Sequence, residues 1–171
     1  MQRHALQVNI IVRTYGGNII VRPDTTWSRN NDDYYVPEFV DSISWSPVLC
    51  IRISRLGKHI AEKFAPRYYD GAGKGILLYP ENLIDGSEES FACASILDRT
   101  SCIVLPEGDP SELTTGEKAL ADSTLAQASR LCRVRAGDIL AIELAPREPL
   151  CSRADNRFRV EKEGAVFDIL F

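Results

Sequence analysis

The residues best suited to chemistry are five carboxylates in one stretch of the chain: Asp70, Glu81, Asp85, Glu88 and Glu89. Two carboxylates held close together can work as a general acid and a general base when their surroundings separate their pKa values. The same composition is also typical of an acidic loop exposed to water, which is the simpler interpretation. Sequence alone leaves both interpretations open.

Cysteine and histidine offer a second chemistry. Cys50 and His59 could supply a nucleophile and its base, which would have to lie within hydrogen-bond reach of each other. A surface histidine after the Gly57-Lys58 turn is the simpler interpretation. The five cysteines are odd in number and form no C-x-x-C pair, so they predict reduced structural thiols rather than disulfides or a zinc site.

Composition excludes several classes of protein. The 171 residues carry a net charge of −4, and the basic residues are scattered, so no nucleic-acid partner is expected. The apolar run Val8–Val12 is too short for a secretory signal or a membrane span, and we expect a cytoplasmic protein with no membrane partner. Gly71, Gly73 and Gly75 lack the lysine and serine or threonine of a phosphate loop and predict a turn.

Hydrophobic periodicity predicts a mostly β (α+β) chain with two or three short helices in one domain over residues 1–171. The predicted strands cover 8–13, 18–22, 48–54, 76–79, 91–105 (broken near Asp98-Arg99), 139–144, 158–161 and 166–170. The predicted helices cover 58–69, ending near Pro66, and 117–132.

Six blocks of the sequence stand out, in this order: IIVRPDT (19–25), LCIRISRLGKHI (49–60), EKFAPRYYDGAGKGI (62–76), SFACASIL (90–97), LCRVRAGDILAIELAP (131–146) and FRVEKEGAVFDILF (158–171). Together and in that order they resemble the fumarylacetoacetate hydrolase (FAH) family. The resemblance covers about two thirds of the chain. It implies a single FAH-like domain, with a mixed β-sheet roll or barrel.

Members of that family hydrolyse, isomerise, decarboxylate or hydrate substrates with a 2-oxo-acid or β-dicarbonyl group. They hold Mg²⁺, Mn²⁺ or Ca²⁺ with an E-x-E pair and a later aspartate, since such hard cations prefer carboxylate oxygens. Matching the blocks places these three ligands at Ser46, Val48 and Leu77. The family's arginine, glutamine, lysine and threonine fall at or near the remaining pocket positions Glu81, Ile84, Glu89 and Leu144.

None of the three metal-ligand positions carries a carboxylate, and the family's metal is therefore predicted to be lost. The leading hypothesis is a non-catalytic relative without a cofactor, retained as a structural or binding protein and homodimeric as its relatives often are. The alternative is a divergent hydrolase, isomerase or decarboxylase that uses the relocated carboxylates named above. The four aliphatic replacements are Val48, Leu77, Ile84 and Leu144, and they predict a filled pocket, although an apolar cavity for an unknown ligand remains open.

Overall fold

A computed structural model describes residues 7–171 and has a mixed α+β fold, which confirms the predicted class. The strands are β1 Ile10–Arg13, β2 Ile19–Arg22, β3 Trp27–Ser28, β4 Tyr34–Tyr35, β5 Ser42–Ile53, β6 Tyr69–Pro80, β7 Ser101–Cys102, β8 Ile139–Glu143, β9 Glu148–Ser152, β10 Arg157–Lys162 and β11 Ala165–Leu170. The α-helices are α1 Glu88–Ala94 and α2 Thr115–Leu131. Short 3-10 turns lie at Asp24–Thr26, Glu62–Arg67, Glu81–Leu83, Pro110–Glu112 and Arg153–Asp155.

The chain divides into two compact units. The first contains the described residues up to Asp24, together with Cys50–Gly73 and Pro106–Ile142. The second contains Thr25–Leu49, Lys74–Leu105 and Glu143–Phe171. The single domain over residues 1–171 stays a prediction.

The first unit is built on β1. This strand pairs antiparallel with β2 and parallel with β8, and Ile10, Ile11 and Val12 are fully buried. Helix α2 begins with a capping box, in which Thr114 and Glu117 each bind the other's backbone N–H. Because the cap satisfies two of the helix's otherwise unpaired donors, it sets where α2 begins.

The second unit holds a separate hydrophobic core. Strand β9 pairs antiparallel with the start of β5, and β7 pairs antiparallel with β6 and parallel with β3. The predicted C-terminal hairpin is present as β10 and β11, and β4 adds to it in parallel. Between these strands pack Trp45, Leu78, Phe167 and Ile169 with other buried apolar side chains.

The glycine-rich segment is a strand rather than the predicted turn. Strand β6 begins at Tyr69 and runs through Gly71, Gly73 and Gly75. In the first unit, a Cβ on Gly71 would lie 2.2 Å from the carbonyl oxygen of Pro106. In the second unit, a Cβ on Gly75 would lie 2.8 Å from the carbonyl oxygen of Cys102. These glycines allow close backbone approach along a continuous strand, which composition alone cannot distinguish from a turn.

The predicted strand 91–105 is also wrong over its first part. Residues 88–94 form α1, and only Ser101–Cys102 form a strand. The Ser87 side chain accepts a hydrogen bond from the Ser90 backbone N–H and caps the helix, while Glu88 and Glu89 lie in its first turn. Acidic residues are favoured at that end of a helix, and the cap outweighs the β-prone apolar pattern.

The predicted helix 58–69 is reduced to the 3-10 turn Glu62–Arg67, with Pro66 inside it. Proline supplies no N–H, which limits the length of any α-helix there. Within residues 7–171, none of the helices is long and apolar enough to cross a membrane.

Candidate functional site

The predicted ligand positions on β5 are buried and poor in charge. Alternation along the strand puts Ser44, Ser46 and Val48 on one face. Ser46 and Val48 are fully buried, and Ser44 is nearly so. Among the described residues, the hydroxyl of Ser46 finds no hydrogen-bond partner. A buried hydroxyl left unpaired costs about 1–3 kcal/mol, so the Ser46 hydroxyl adds no stability to this face through a protein partner among the described residues.

Strand β6 supplies the predicted aspartate position, Leu77, which is also fully buried. Two residues further on the same side of the strand, the hydroxyl of Tyr79 donates a short hydrogen bond to the Glu143 carboxylate, at the end of β8. The Tyr79 ring stacks on Phe91 of α1, with centroids 5.6 Å apart and 23° between the ring planes. An aromatic wall and a phenol–carboxylate pair therefore lie next to the position expected to hold a metal ligand.

Glu81, just after β6, is the centre of an ion pair. The Nε of Arg147 lies 2.7 Å from Glu81 Oε2, and Arg147 Nη2 lies 3.3 Å from Oε1, an arrangement with two parallel hydrogen bonds. The Ser44 hydroxyl donates to Glu81 Oε2 at 2.5 Å. The hydrogen bond from Arg147 holds the pKa of Glu81 below its usual value, against the opposing effect of burial, and the Ser44 hydroxyl adds to the lowering. Glu81 is therefore a charged anchor at neutral pH and a weak proton acceptor.

Arg147 is the member of this ion pair that the sequence does not single out. It lies directly before β9, and its guanidinium carbon stands 5.6 Å from the Tyr79 ring centroid and 5.9 Å from that of Phe91. The hydrogen bond to Glu81 raises the pKa of Arg147, and the charges of Glu81 and Glu143 raise it further. The only sequence signal is a single arginine between a predicted strand and Pro149, and nothing in it names Glu81 as a partner.

The remaining predicted pocket positions do not form a cluster with these contacts. Ile84 follows the 3-10 turn Glu81–Leu83 and is partly buried. Leu144 is partly buried and donates its backbone N–H to the carbonyl of Pro47. Glu89 is exposed in the first turn of α1. Of the four positions Glu81, Ile84, Glu89 and Leu144, only Glu81 has its side chain in the polar network, which consists of Ser44, Tyr79, Glu81, Glu143 and Arg147.

The acidic cluster proposed from the sequence separates into structural roles. Asp70 belongs to the first unit and pairs with Arg52 at 2.9 Å. Asp85 accepts hydrogen bonds from the backbone and hydroxyl of Ser87, which hold its pKa at about 2. Glu88 lies beside Glu89, exposed in the same helix turn. Glu81 alone of the five lies in the polar network, and its charged partner is an arginine rather than a second acid.

The Cys50/His59 hypothesis finds no support either. Cys50 is fully buried, and burial raises the pKa of its thiol, so it stays protonated at neutral pH. His59 is exposed, with a positive φ of 52° in the turn that follows Gly57. A protonated thiol in an apolar core is a packing residue rather than a nucleophile.

The residues at the three ligand positions do not fit a divalent metal ion. The side chain of Ser46 offers one neutral hydroxyl, and the side chains of Val48 and Leu77 offer no oxygen, whereas such ions take six or more oxygen ligands in proteins, several of them carboxylates. Within residues 7–171, no group of three or more His, Cys, Asp or Glu side chains is arranged to hold a metal. We therefore derive no chemical step through a metal at this place.

Solved structures provide the comparison. A protein assigned to the fumarylacetoacetate hydrolase family from Yersinia pestis CO92 matches with a TM-score of 0.73 and 16% identity, over 96% of this chain and 91% of its own. The fold is FAH-like. Fumarylpyruvate hydrolase from Pseudomonas aeruginosa, solved with Mn²⁺ and pyruvate, matches with a TM-score of 0.69 and 14% identity, over 85% of this chain and 80% of its own.

Maleylpyruvate hydrolase from Sphingobium sp. SYK-6 matches with a TM-score of 0.68 and 14% identity, over 96% of this chain and 72% of its own. No protein-family model matches the sequence, and no curated protein is similar to it. At such low identity the likeness concerns the fold alone. The FAH-like fold expected from the sequence blocks is confirmed.

Proposed function

We propose that this chain is a non-catalytic relative of the FAH-family enzymes, retained as a structural or binding protein that works without the family's metal. One observation carries the proposal: Ser46, Val48 and Leu77, at the three expected ligand positions, are fully buried and contain no carboxylate. A metal-dependent FAH enzyme needs charge at these positions to compensate for the ion's lost hydration.

The test is direct. Purified protein is incubated with oxaloacetate and with an acylpyruvate, in the presence of Mg²⁺ or Mn²⁺, and product is followed by absorbance. Native mass spectrometry of the same protein gives its intact mass and so the number of bound metal ions. We expect no turnover above a heat-denatured control and no stoichiometric metal. Turnover or one bound metal per chain would overturn the proposal.

A second candidate is a divergent hydrolase, isomerase or decarboxylase acting on a 2-oxo-acid or β-dicarbonyl substrate. The observation in its favour is the Tyr79–Glu143 pair, a phenol bound to a carboxylate, beside the Arg147 guanidinium. Such a pair can exchange a proton with a bound enol when a cation stabilises the developing charge. If turnover is found, Glu143→Gln should abolish it, whereas the exposed Glu89→Gln should leave it unchanged.

We also propose that the protein is a cytoplasmic homodimer, as the family resemblance suggests. Size-exclusion chromatography with light scattering gives the mass directly. A particle of twice the 19.1 kDa chain mass is expected. A monomer at micromolar concentration would contradict this part of the proposal.

A further inference from the structure

In the second unit, the polar network of Ser44, Tyr79, Glu81 and Glu143 lies around the guanidinium of Arg147. The guanidinium of Arg147 contacts the Glu81 carboxylate along one edge, and the rings of Tyr79 and Phe91 lie within 6 Å of its central carbon. Ring faces carry partial negative charge and attract cations, best when water is excluded. The side chain of Arg147 is 30% exposed, so it is only partly accessible to solvent.

The partners of this cation are themselves held in place. Ser44 is buried, and its hydroxyl orients Glu81, while Tyr79 is buried and binds Glu143. A planar guanidinium matches a carboxylate with two parallel hydrogen bonds, which the ammonium of lysine cannot do. The site therefore has the shape of a receptor for guanidinium, with an acidic edge and aromatic walls.

The charges at this site make the guanidinium of Arg147 necessary for stability. The five side chains Ser44, Tyr79, Glu81, Glu143 and Arg147 include two carboxylates and one guanidinium. Without the guanidinium, Glu81 would keep the hydrogen bond from the Ser44 hydroxyl but lose its positively charged partner. A partly exposed carboxylate that loses its counter-ion destabilises the fold because the lost attraction no longer offsets desolvation, although by less than a fully buried one because water screens its charge.

We propose that Arg147 is a built-in cation that fills a guanidinium-shaped site formed by Ser44, Tyr79, Glu81, Phe91 and Glu143, and that it balances the charge of Glu81 there. This inference rests on the proposed metal-free function. It assigns to a side chain of the protein itself the work of holding negative groups together next to the former ligand positions. When Arg147 is truncated, the emptied site should accept a free guanidinium ion.

Chemical rescue tests this directly. Arg147→Ala is melted with and without millimolar methylguanidinium, against sodium chloride at equal ionic strength and with a chelator present. The variant should melt about 5 °C below wild type, and methylguanidinium should recover part of that loss with a saturable dose dependence. Arg52→Ala is the matched control, since Arg52 pairs with Asp70 in the first unit and is similarly exposed.

Several results would overturn the inference. They are an Arg147→Ala variant as stable as wild type, an absence of saturable rescue, or an equal rescue of Arg52→Ala. If Arg147→Ala does not fold, Arg147→Met is compared with the double variant Glu81→Gln/Arg147→Met. The double variant should be the more stable of the two because it removes the orphaned charge, and no gain would refute the idea.

Failure here is distinct from failure of the proposed function. Turnover or metal uptake by the wild-type protein bears on the function and leaves the rescue data unchanged. Missing rescue in a metal-free, inactive protein bears on Arg147 alone.

Discussion

Substitution to alanine at two of the predicted metal-ligand positions, Leu77 and Ser46, should affect the free energy of unfolding differently. Leu77→Ala removes a fully buried aliphatic side chain, whereas Ser46→Ala removes a fully buried hydroxyl without a partner among the described residues. In a filled core, the first change opens a cavity and the second removes a desolvated polar group. In an open ligand pocket, both changes would fall on a wall in contact with solvent and would matter little.

The magnitudes follow from burial. Complete burial of a leucine side chain contributes about 1.5–3 kcal/mol from transfer alone. The cavity left behind adds to this, and buried Leu→Ala changes cost about 2–5 kcal/mol in all. Loss of an unpaired buried hydroxyl should return part of its penalty of about 1–3 kcal/mol. We therefore expect Leu77→Ala to lower the free energy of unfolding by at least 2 kcal/mol, and Ser46→Ala to leave it equal or raise it.

The assay is urea denaturation followed by tryptophan fluorescence and circular dichroism, with the m-value checked for constancy. Leu105→Ala is the matched control, because Leu105 is 42% exposed in the same unit and the chemical change is identical. A cost for Leu77→Ala no larger than that for Leu105→Ala would refute the filled-core reasoning. Destabilisation by Ser46→Ala would also refute it, by indicating that the hydroxyl binds a ligand or a water molecule.

Three further outcomes are expected. A double-mutant cycle with Glu81→Gln and Arg147→Met should give a coupling of about 1–2 kcal/mol, above an exposed pair because of the two parallel hydrogen bonds and below a buried one because of solvent screening; a value near zero in urea titrations would contradict the geometry. The pKa of Asp85 is about 2 in the folded protein and about 3.9 in the unfolded chain, because Ser87 hydrogen-bonds the ionised carboxylate. The stability that Asp85 contributes is therefore fully present above about pH 3.9 and is lost as the pH falls from there through about 2. Between about pH 2 and pH 3.9, the free energy of unfolding should depend less on pH in Asp85→Asn than in the wild type. Identical pH profiles of stability for the two proteins would refute this. Gly71→Ala should destabilise by about 1–3 kcal/mol because its Cβ would collide with a carbonyl oxygen, whereas Gly73→Ala, whose Cβ would lie 3.5 Å from its nearest neighbour, should be tolerated; equal melting temperatures would refute the argument.

The sequence alone predicts those strands and helices whose apolar periodicity is flanked directly by a turn or a cap. The antiparallel pair β1–β2, helix α2 and the hairpin β10–β11 each combine periodic apolar residues with an adjacent turn or cap, and all three are present. Helix α1 was missed because its short apolar run reads equally as a strand, and only the Ser87 cap with two following glutamates distinguishes the two structures. The glycines of β6 were misread because the close carbonyl oxygen that requires them comes from a residue distant in sequence.

The candidate site shows the same limit more sharply. The sequence blocks predict Ser46, Val48 and Leu77 as the ligand positions, and the lack of a carboxylate at each of them can be read from the sequence alone. Arg147 could not be found that way, because its partner Glu81 is 66 residues away and neither residue matches a motif. Opposite charges brought together by tertiary packing carry no local periodicity, so the pairing becomes visible only once the strands are assembled.

The proposed loss of metal dependence requires that the charge around the predicted ligand positions be balanced in another way. A divalent ion in a protein site must be balanced by several carboxylates, and removal of the ion alone would leave those carboxylates repelling one another. In this chain the predicted ligand positions carry neutral side chains, and the carboxylate of Glu81 is matched by Arg147 within the same unit. A covalently attached cation needs no supply of metal and cannot dissociate, but its coordination to substrate oxygens is limited to hydrogen bonding. We expect such an exchange to favour permanent order over Lewis-acid catalysis, and on this ground the Arg147–Glu81 pair favours the proposed binding or structural role over the alternative enzymatic one.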